Sequence, residues 1–443
     1  MNKPTMNNTM NPDYLIPDLA PELQRGPSWL RDARRRSRET FNDAAVPRRG
    51  LHYWRYTDPT SFLIDRSRVS DTEYGENFGA VERIVRNHLE QGNLAGVVSD
   101  LGGREIGVHG TEELRRRGGI VASLSEASSE HPELVEQYLY QLVNASSGKF
   151  EAMNGALWND GIFIYIPDGL AVEKPLHLLR ESGLSGSAQY PRLLVIVGKN
   201  AELTVIDEYG GGSTDYNRPS YANSAVEIFG LDESRVRYVS LQRQASGMHC
   251  YLTHRARIER GATMLTIPLA FGAAVSKQNF GVQLNGPNAE SRMQGMLFGS
   301  DHQHFDNHTR HHHVASETLS NIDFKVVLRD KANSAYTGLI RIENQARTCE
   351  AYQENRNLLL NRGARAETIP ELEILNEDVR CSHGATLGPI DPLSVFYLLS
   401  RGIDRAEAVR MIVSGFVTPT LNQVPDDLRD RISGFVAQRL EDG

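Results

Sequence analysis

Residues 158–390 read as one long succession of short strands, and nothing else in the chain limits its fold as strongly. GIFIYIPDG, RLLVIVG, AELTVIDEY, SAVEIFG and SRVRYVSLQ are rich in β-branched and aromatic residues, with Gly, Asn and Asp between them. Hardly one helical window interrupts this pattern. A loose echo runs through it: KNAELTVI, RGATMLTI, PNAESRMQ, KANSAYTG, NQARTCEA and RGARAETI. Each sets a small residue (Ala201, Ala262, Ala289, Ala332, Ala346, Ala364) after a polar or glycine turn and before strand-like alternation. The spacing is irregular, so the echo is not a strict repeat. Many short strands, recurring turns and no crossover helices suit a parallel β-helix. A large sandwich or jelly roll suits them about as well.

The flanks differ. Residues 1–25 are rich in Asn, Pro and Met without periodicity and are expected to be disordered or loosely attached. Residues 26–157 are expected to form a helical domain, starting near Pro27, with further helices over Val81–Gln91 and Leu134–Ala145. The β core is expected to span 158–390, and a second helical domain 391–443. There Asp391-Pro392 is a good helix start, Asp404 and Glu407 resemble a capping box, and a last helix is expected from Asp426 to Leu440. Val409, Ile412, Val413 and Phe416 give an apolar stripe at helical spacing.

With 443 residues the chain is long enough for two or three domains. A net charge of −8 argues against a general nucleic-acid binder, and the basic run RDARRRSR reads as the wet face of a short helix. Three cysteines (Cys250, Cys349, Cys381) build no disulfide framework, which fits a reducing cytoplasm. The amino terminus lacks a signal-peptide apolar stretch, and no apolar run approaches the roughly 20 residues of a membrane span. A cytoplasmic protein is expected. No phosphate-binding loop, dinucleotide fingerprint or nucleophile elbow occurs, so any nucleotide-driven work falls to a partner.

Six of the fourteen histidines lie between His302 and His313. In a strand His302 and His304 share a face, as do His311 and His313, so an imidazole metal site is one reading. A solvated rim of the β domain is preferred, because no carboxylate at ligand spacing completes the site. His249 and His254 are expected to be packed core residues. Glu371 and Glu373 are paired acids on one strand face, as a carbohydrate-cleaving β-helix would need. A wet strand face explains them more simply. Cys381 and His383 stand two residues apart, where strand-like sequence gives way to helix, and so share one face. The residues alone slightly favour an inert thiol beside a turn histidine. A cluster usually takes four protein ligands, mostly thiolates, so three scattered cysteines are poorly placed to hold one, and any site here is shared across an interface.

An ordered set of segments carries a resemblance. Pro27–Leu30 through Phe41, Trp54-Arg55-Tyr56-Thr57, WNDGIFIYIPDGLAVEKP (158–175), YQENRNLLL, PELEI, Asp378–Thr386 and FYLLSRGI together resemble the SufB/SufD family of iron–sulfur cluster assembly scaffolds. The C-S-H-G form and the lack of extra amino-terminal cysteines resemble its SufD branch more than its SufB branch. The resemblance implies a mainly β chain: a flattened right-handed parallel β-helix flanked by amino- and carboxy-terminal helical domains. It implies a non-enzymatic subunit working with a SufB paralogue and the SufC ATPase, with an iron–sulfur cluster, or iron, held transiently at the shared interface. A homodimer of the isolated chain is left open. The family's functional Cys and His fall on Cys381 and His383, with His383 the better ligand candidate. The helices around Arg405, Glu407, Met411 and Phe416 look like the ATPase-docking segment. The run from His308 to Ala315 is richer in histidine than the family pattern, so no role transfers to those histidines. A carbohydrate-active β-helix enzyme and a histidine-rich metal-binding protein are the alternative functions.

Overall fold

The strand-rich run winds into a parallel β-solenoid of about eight turns, with helices at both ends of the chain. The structure, a computed structural model, describes residues 15–16, 23, 26–63, 78–102, 105–183 and 186–441. Most of the amino terminus expected to be loose therefore lies outside the described residues; Ile16 and Leu23 are buried.

Two sheets face each other across the interior. In spatial order the first contains Glu105–His109, Gly96–Leu101, Leu176–Ser182, Glu202–Gly211, Arg235–Gln242, Thr263–Ala270, Glu290–Gly299, Leu319–Leu328, Cys349–Leu359 and Val379–Pro389. The second runs in the reverse direction from Arg365–Ile374 through Asn333–Ile342, His304–His313, Val275–Leu284, Met248–Ile258, Ser220–Gly230, Arg192–Val197 and Ile162–Ile166 to Ile120–Ser123. The solenoid strands are parallel; the pairs formed by Glu105–His109 and by Ile120–Ser123 at the first end are antiparallel.

Half of the echo, Ala201, Ala262 and Ala289, marks one corner of this solenoid. Asn200, Glu233, Gly261, Asn288, Glu317 and Thr348 have positive φ, between 53° and 64°, the region that turns a chain sharply. After them come Ala201, Ser234, Ala262, Ala289, Thr318 and Cys349, all buried. These small residues stack coil on coil: Ala201 O accepts from Arg235 N (2.8 Å), Ser234 O from Thr263 N (2.8 Å), Ala262 O from Glu290 N (2.9 Å) and Ala289 O from Leu319 N (3.1 Å). A larger side chain at this column would meet the coil above and the coil below. Ala332 and Ala364 precede second-sheet strands and so belong to another corner. Mixing two corners is what made the spacing irregular.

Alternation along each strand divides the two environments. Leu203 and Val205 point into the interior, whereas Ile206, with Val239, Leu241, Ile267, Leu269, Met296 and Phe298, faces outward under the carboxy-terminal helices. Helices Arg405–Leu421 and Asp426–Glu441 cover that face with Val413, Val417, Leu421, Leu428, Ile432 and Val436. At ~1.5–3 kcal/mol per buried aliphatic side chain, the six contribute on the order of 10 kcal/mol before entropy. Ions reinforce the seam: Glu208, buried behind it, pairs with Arg431 (2.6 Å), Arg243 (2.5 Å) and His177 (2.9 Å).

Three expectations change. The segment 96–123 carries three strands that extend both sheets, among helices. The helix expected over Leu134–Ala145 is Pro132–Tyr138 only. Its continuation is captured by a buried carboxylate: Glu227 accepts from the backbone N–H groups of Tyr140 (3.0 Å), Leu142 (2.8 Å) and Val143 (3.1 Å), and Arg192 neutralises it at 2.5 Å. A fixed acceptor for three donors replaces the helical bonds they would otherwise make. Finally, the basic helix Ser28–Asp43 is not wet throughout. Arg34 is buried, lies 4.2 Å from the Trp158 ring centre and donates to Leu23 O (2.8 Å) and Trp158 O (3.1 Å).

Candidate site at the open end of the solenoid

The last coil is made of Arg365–Ile374 and Val379–Pro389, the edge strands of the two sheets. Among the described residues no strand pairs beyond either, so each leaves a row of backbone donors and acceptors available. Along Val379–Pro389 the period of two puts Val379, Cys381 and His383 on the interior side. Val379 and Cys381 pack with Leu372 against Ile340, Ile342, Cys349 and Ala351. Arg380, on the outer side, pairs with Glu350 at 3.4 Å. In register Cys381 lies beside Ala351 and His383 beside Gln353 of the preceding coil.

Cys381 is half-buried and His383 is exposed. Burial, aided by the neighbouring Cys349 thiol, pushes the Cys381 thiol up from its ordinary value. Cys349 itself is buried, 3.2 Å from Thr318 Oγ1, and Cys250 is buried in another coil, donating to Gln244 Oε1 at 2.9 Å. Of the three thiols, Cys381 is the one that reaches the rim. A soft sulfur and an imidazole side by side are the right donors for an iron–sulfur cargo, yet they amount to half of a four-ligand set. Among the described residues no group of three His, Cys, Asp or Glu side chains converges as a metal site.

That statement also covers the histidine run, whose four candidate ligands the structure does not bring together. His311 and His313 point into the interior, where His311 Nε2 is 3.0 Å from Ser291 Oγ and His313 is 2.7 Å from Thr318 Oγ1 and 2.8 Å from Ser320 Oγ. Burial holds their pKa values down, to about 3 and about 4. His304 faces the opposite way, 2.9 Å from Thr57 Oγ1, and His302 sits in the exposed turn before the strand. His254 is a core residue as expected. Glu371 and Glu373 lie on the outer face, tied to His52 (3.2 Å) and Arg341 (3.1 Å), which accounts for both without a sugar substrate.

At the start of helix Arg405–Leu421, Asp404 accepts from Glu407 N (3.0 Å), and Glu407 accepts from Arg410 Nε at 2.8 Å. Arg405 and Met411 are exposed, while Phe416 is half-buried against the first sheet. The buried stripe is Ala408, Val413, Val417, Thr420 and Leu421, so Val413 is shared with the expected stripe, while Val409 and Phe416 flank it. The preceding helix, Pro392–Ser400, starts where Asp391-Pro392 predicts it, but its exposed apolar face was not among the expected features. There Leu393 (74%), Phe396 (66%), Tyr397 (57%) and Leu399 (40%) stand exposed with Met411 (45%). A nine-residue helix apolar on nearly every side was the available signal.

A two-sheet parallel solenoid whose final coil carries Cys381 and His383 on an edge strand places the chain among β-solenoid proteins. Comparison with known sequences identifies the family. "SUF system FeS cluster assembly, SufBD core domain" matches residues 179–416, and "SufBD protein N-terminal region" matches 107–178. The chain belongs to the SufBD family of the SUF iron–sulfur assembly system. It is 27% identical over 435 residues to the iron–sulfur cluster assembly protein SufB of Bacillus subtilis, covering 96% of this chain and 93% of that protein. It is 26% identical to iron–sulfur cluster assembly SufBD family proteins of Staphylococcus saprophyticus and Staphylococcus epidermidis, covering 95% of this chain and 91% of each relative. Among the described residues no helix is long and apolar enough to cross a membrane.

Proposed function

We propose that this chain is a SufD-type scaffold subunit of iron–sulfur cluster assembly, acting in the cytoplasm as one half of a cluster-building interface and without catalysis of its own. The observation that carries the reading is the pair Cys381 and His383, on one face of an edge strand beyond which no strand pairs among the described residues. A SufB paralogue seated on that edge would supply the remaining donors, with the nascent cluster as cargo shared between the two subunits. His383, exposed and free of a protein partner's crowding, is the principal ligand; Cys381 supports it. The apolar helix Pro392–Ser400, with Arg405, Glu407 and Met411 beyond it, is the natural seat for the SufC ATPase, whose hydrolysis drives the complex.

The test is co-expression with a SufB paralogue and the ATPase. His383→Ala should leave the three chains co-purifying while cutting cluster content about tenfold or more, and Cys381→Ser should reduce it less. Unchanged cluster content in His383→Ala would sink the ligand role.

A further inference from the structure

One buried acceptor beneath this site is unaccounted for. Gln353, the register neighbour of His383 in the preceding coil, is only 4% exposed. Its Nε2 donates to Gly338 O in the facing sheet at 3.1 Å, which fixes the way the amide points. Its Oε1 is buried and has no partner. The amide lies in a gap left by a missing side chain: a Cβ on Gly338 would sit 2.8 Å from Gln353 Oε1 and 2.8 Å from Tyr336 Oη. Tyr336 Oη is engaged elsewhere, 2.6 Å from Thr309 Oγ1, so it does not satisfy the amide. Adjacent parallel strands are ~4.8 Å apart, which lets an imidazole turned inward from position 383 lie directly over the Gln353 amide. Buried acceptors are rarely left unpaired, and histidines that ligate metals usually donate their second ring N–H to such a group.

We infer that Gln353 is the positioning residue for His383: its Oε1 accepts one ring N–H of the inward-turned imidazole, fixing the tautomer and directing the other nitrogen outward to the shared site. The inference rests on the reading of His383 as a ligand, but the contact can be measured without it. Gly338 has the part of keeping the cradle open.

The experiment uses the full chain labelled with ¹⁵N-histidine, with the His383 resonances assigned by their loss in His383→Ala. Wild type should show His383 in one tautomer. Gln353→Leu should give a mixture, and Gln353→Glu, which keeps an acceptor, should restore a single form. Gly338→Ala, which pushes the amide from its cradle while removing no polar group, should also give a mixture. Identical tautomer ratios in wild type, Gln353→Leu and Gly338→Ala would overturn the proposal. In the complex, Gln353→Leu should lower retained iron by ~10–100-fold, the usual effect of losing such a support. If the tautomer follows Gln353 while iron retention ignores His383→Ala, the positioning contact stands and the ligand reading falls.

Discussion

Acid should destabilise this protein well above the range in which carboxylates titrate, because three imidazoles are folded into its interior as neutral rings. His254 lies between Tyr238 and Phe280, with ring centres 4.8 and 5.2 Å away, and neither nitrogen has a partner. His311 has one hydroxyl neighbour and His313 two. Burial lowers the three pKa values to about 3, about 3 and about 4. In the unfolded chain each returns to ~6.5. Below that pH the unfolded state binds more protons than the native state, so stability falls as pH falls. Each ring contributes ~1.4 kcal/mol per pH unit from about 6.5 down towards its folded value. Three together cost ~4 kcal/mol between pH 7.5 and 5.5, a large part of a typical margin of about 5–15 kcal/mol. His249, His304, His308 and His312 are also depressed, first by burial, and act with the same sign. The depressed carboxylates Asp306 and Glu208 act lower: burial opposes their ionisation, but the hydrogen bonds from His308 and His177, with nearby cations, outweigh it. Their contribution is held above the ordinary carboxylate range and is lost below it. Urea unfolding at pH 7.5, 6.5 and 5.5 measures the effect, and His254→Leu should remove roughly a third of the three-ring slope, about 1.4 kcal/mol per pH unit. A change under about 1 kcal/mol across that range would refute neutral burial of these rings.

Other changes isolate other parts of the design. Glu227→Ala should cost about 3–5 kcal/mol, because it leaves the fully buried Arg192 guanidinium unpaired. Limited proteolysis should then cut near residues 139–146, whose backbone donors have lost their acceptor. Ala262→Leu at the stacked corner should cost about 1–3 kcal/mol or more by overpacking, read as a lower urea midpoint. Phe396→Ser with Tyr397→Ser should shift the free chain's stability by less than about 0.5 kcal/mol each while abolishing co-purification of the ATPase subunit.

The period of two was the most reliable guide in the sequence. It put Cys381 and His383 on one face, and the strand bears that out. In the histidine run the same rule sets His304 and His311, an odd number of positions apart, on opposite faces of one strand, as their separate partners Thr57 and Ser291 show. Strand density suggested a solenoid, but only the coil register separates the two families of alanine corners. Glu227 was not legible: nothing local at 139–146 announces that a carboxylate more than eighty residues away will take its hydrogen bonds. Gln353 and Gly338 were equally silent, because each matters through a residue on another strand: Gly338 through Gln353 in the facing sheet, and Gln353 through His383 in the next coil.

The two ends of the solenoid differ in strand polarity, and this bears on what each edge can template. At the first end the outermost strands run antiparallel to the rest, at Glu105–His109 and Ile120–Ser123, while the final coil ends on parallel strands beyond which no strand pairs among the described residues. A strand added to the final coil in the sense of its neighbours would continue the solenoid's own parallel ladder, whereas one added at the first end would meet an edge of reversed polarity. The coil thus carries a direction, written in the polarity of its edge strands.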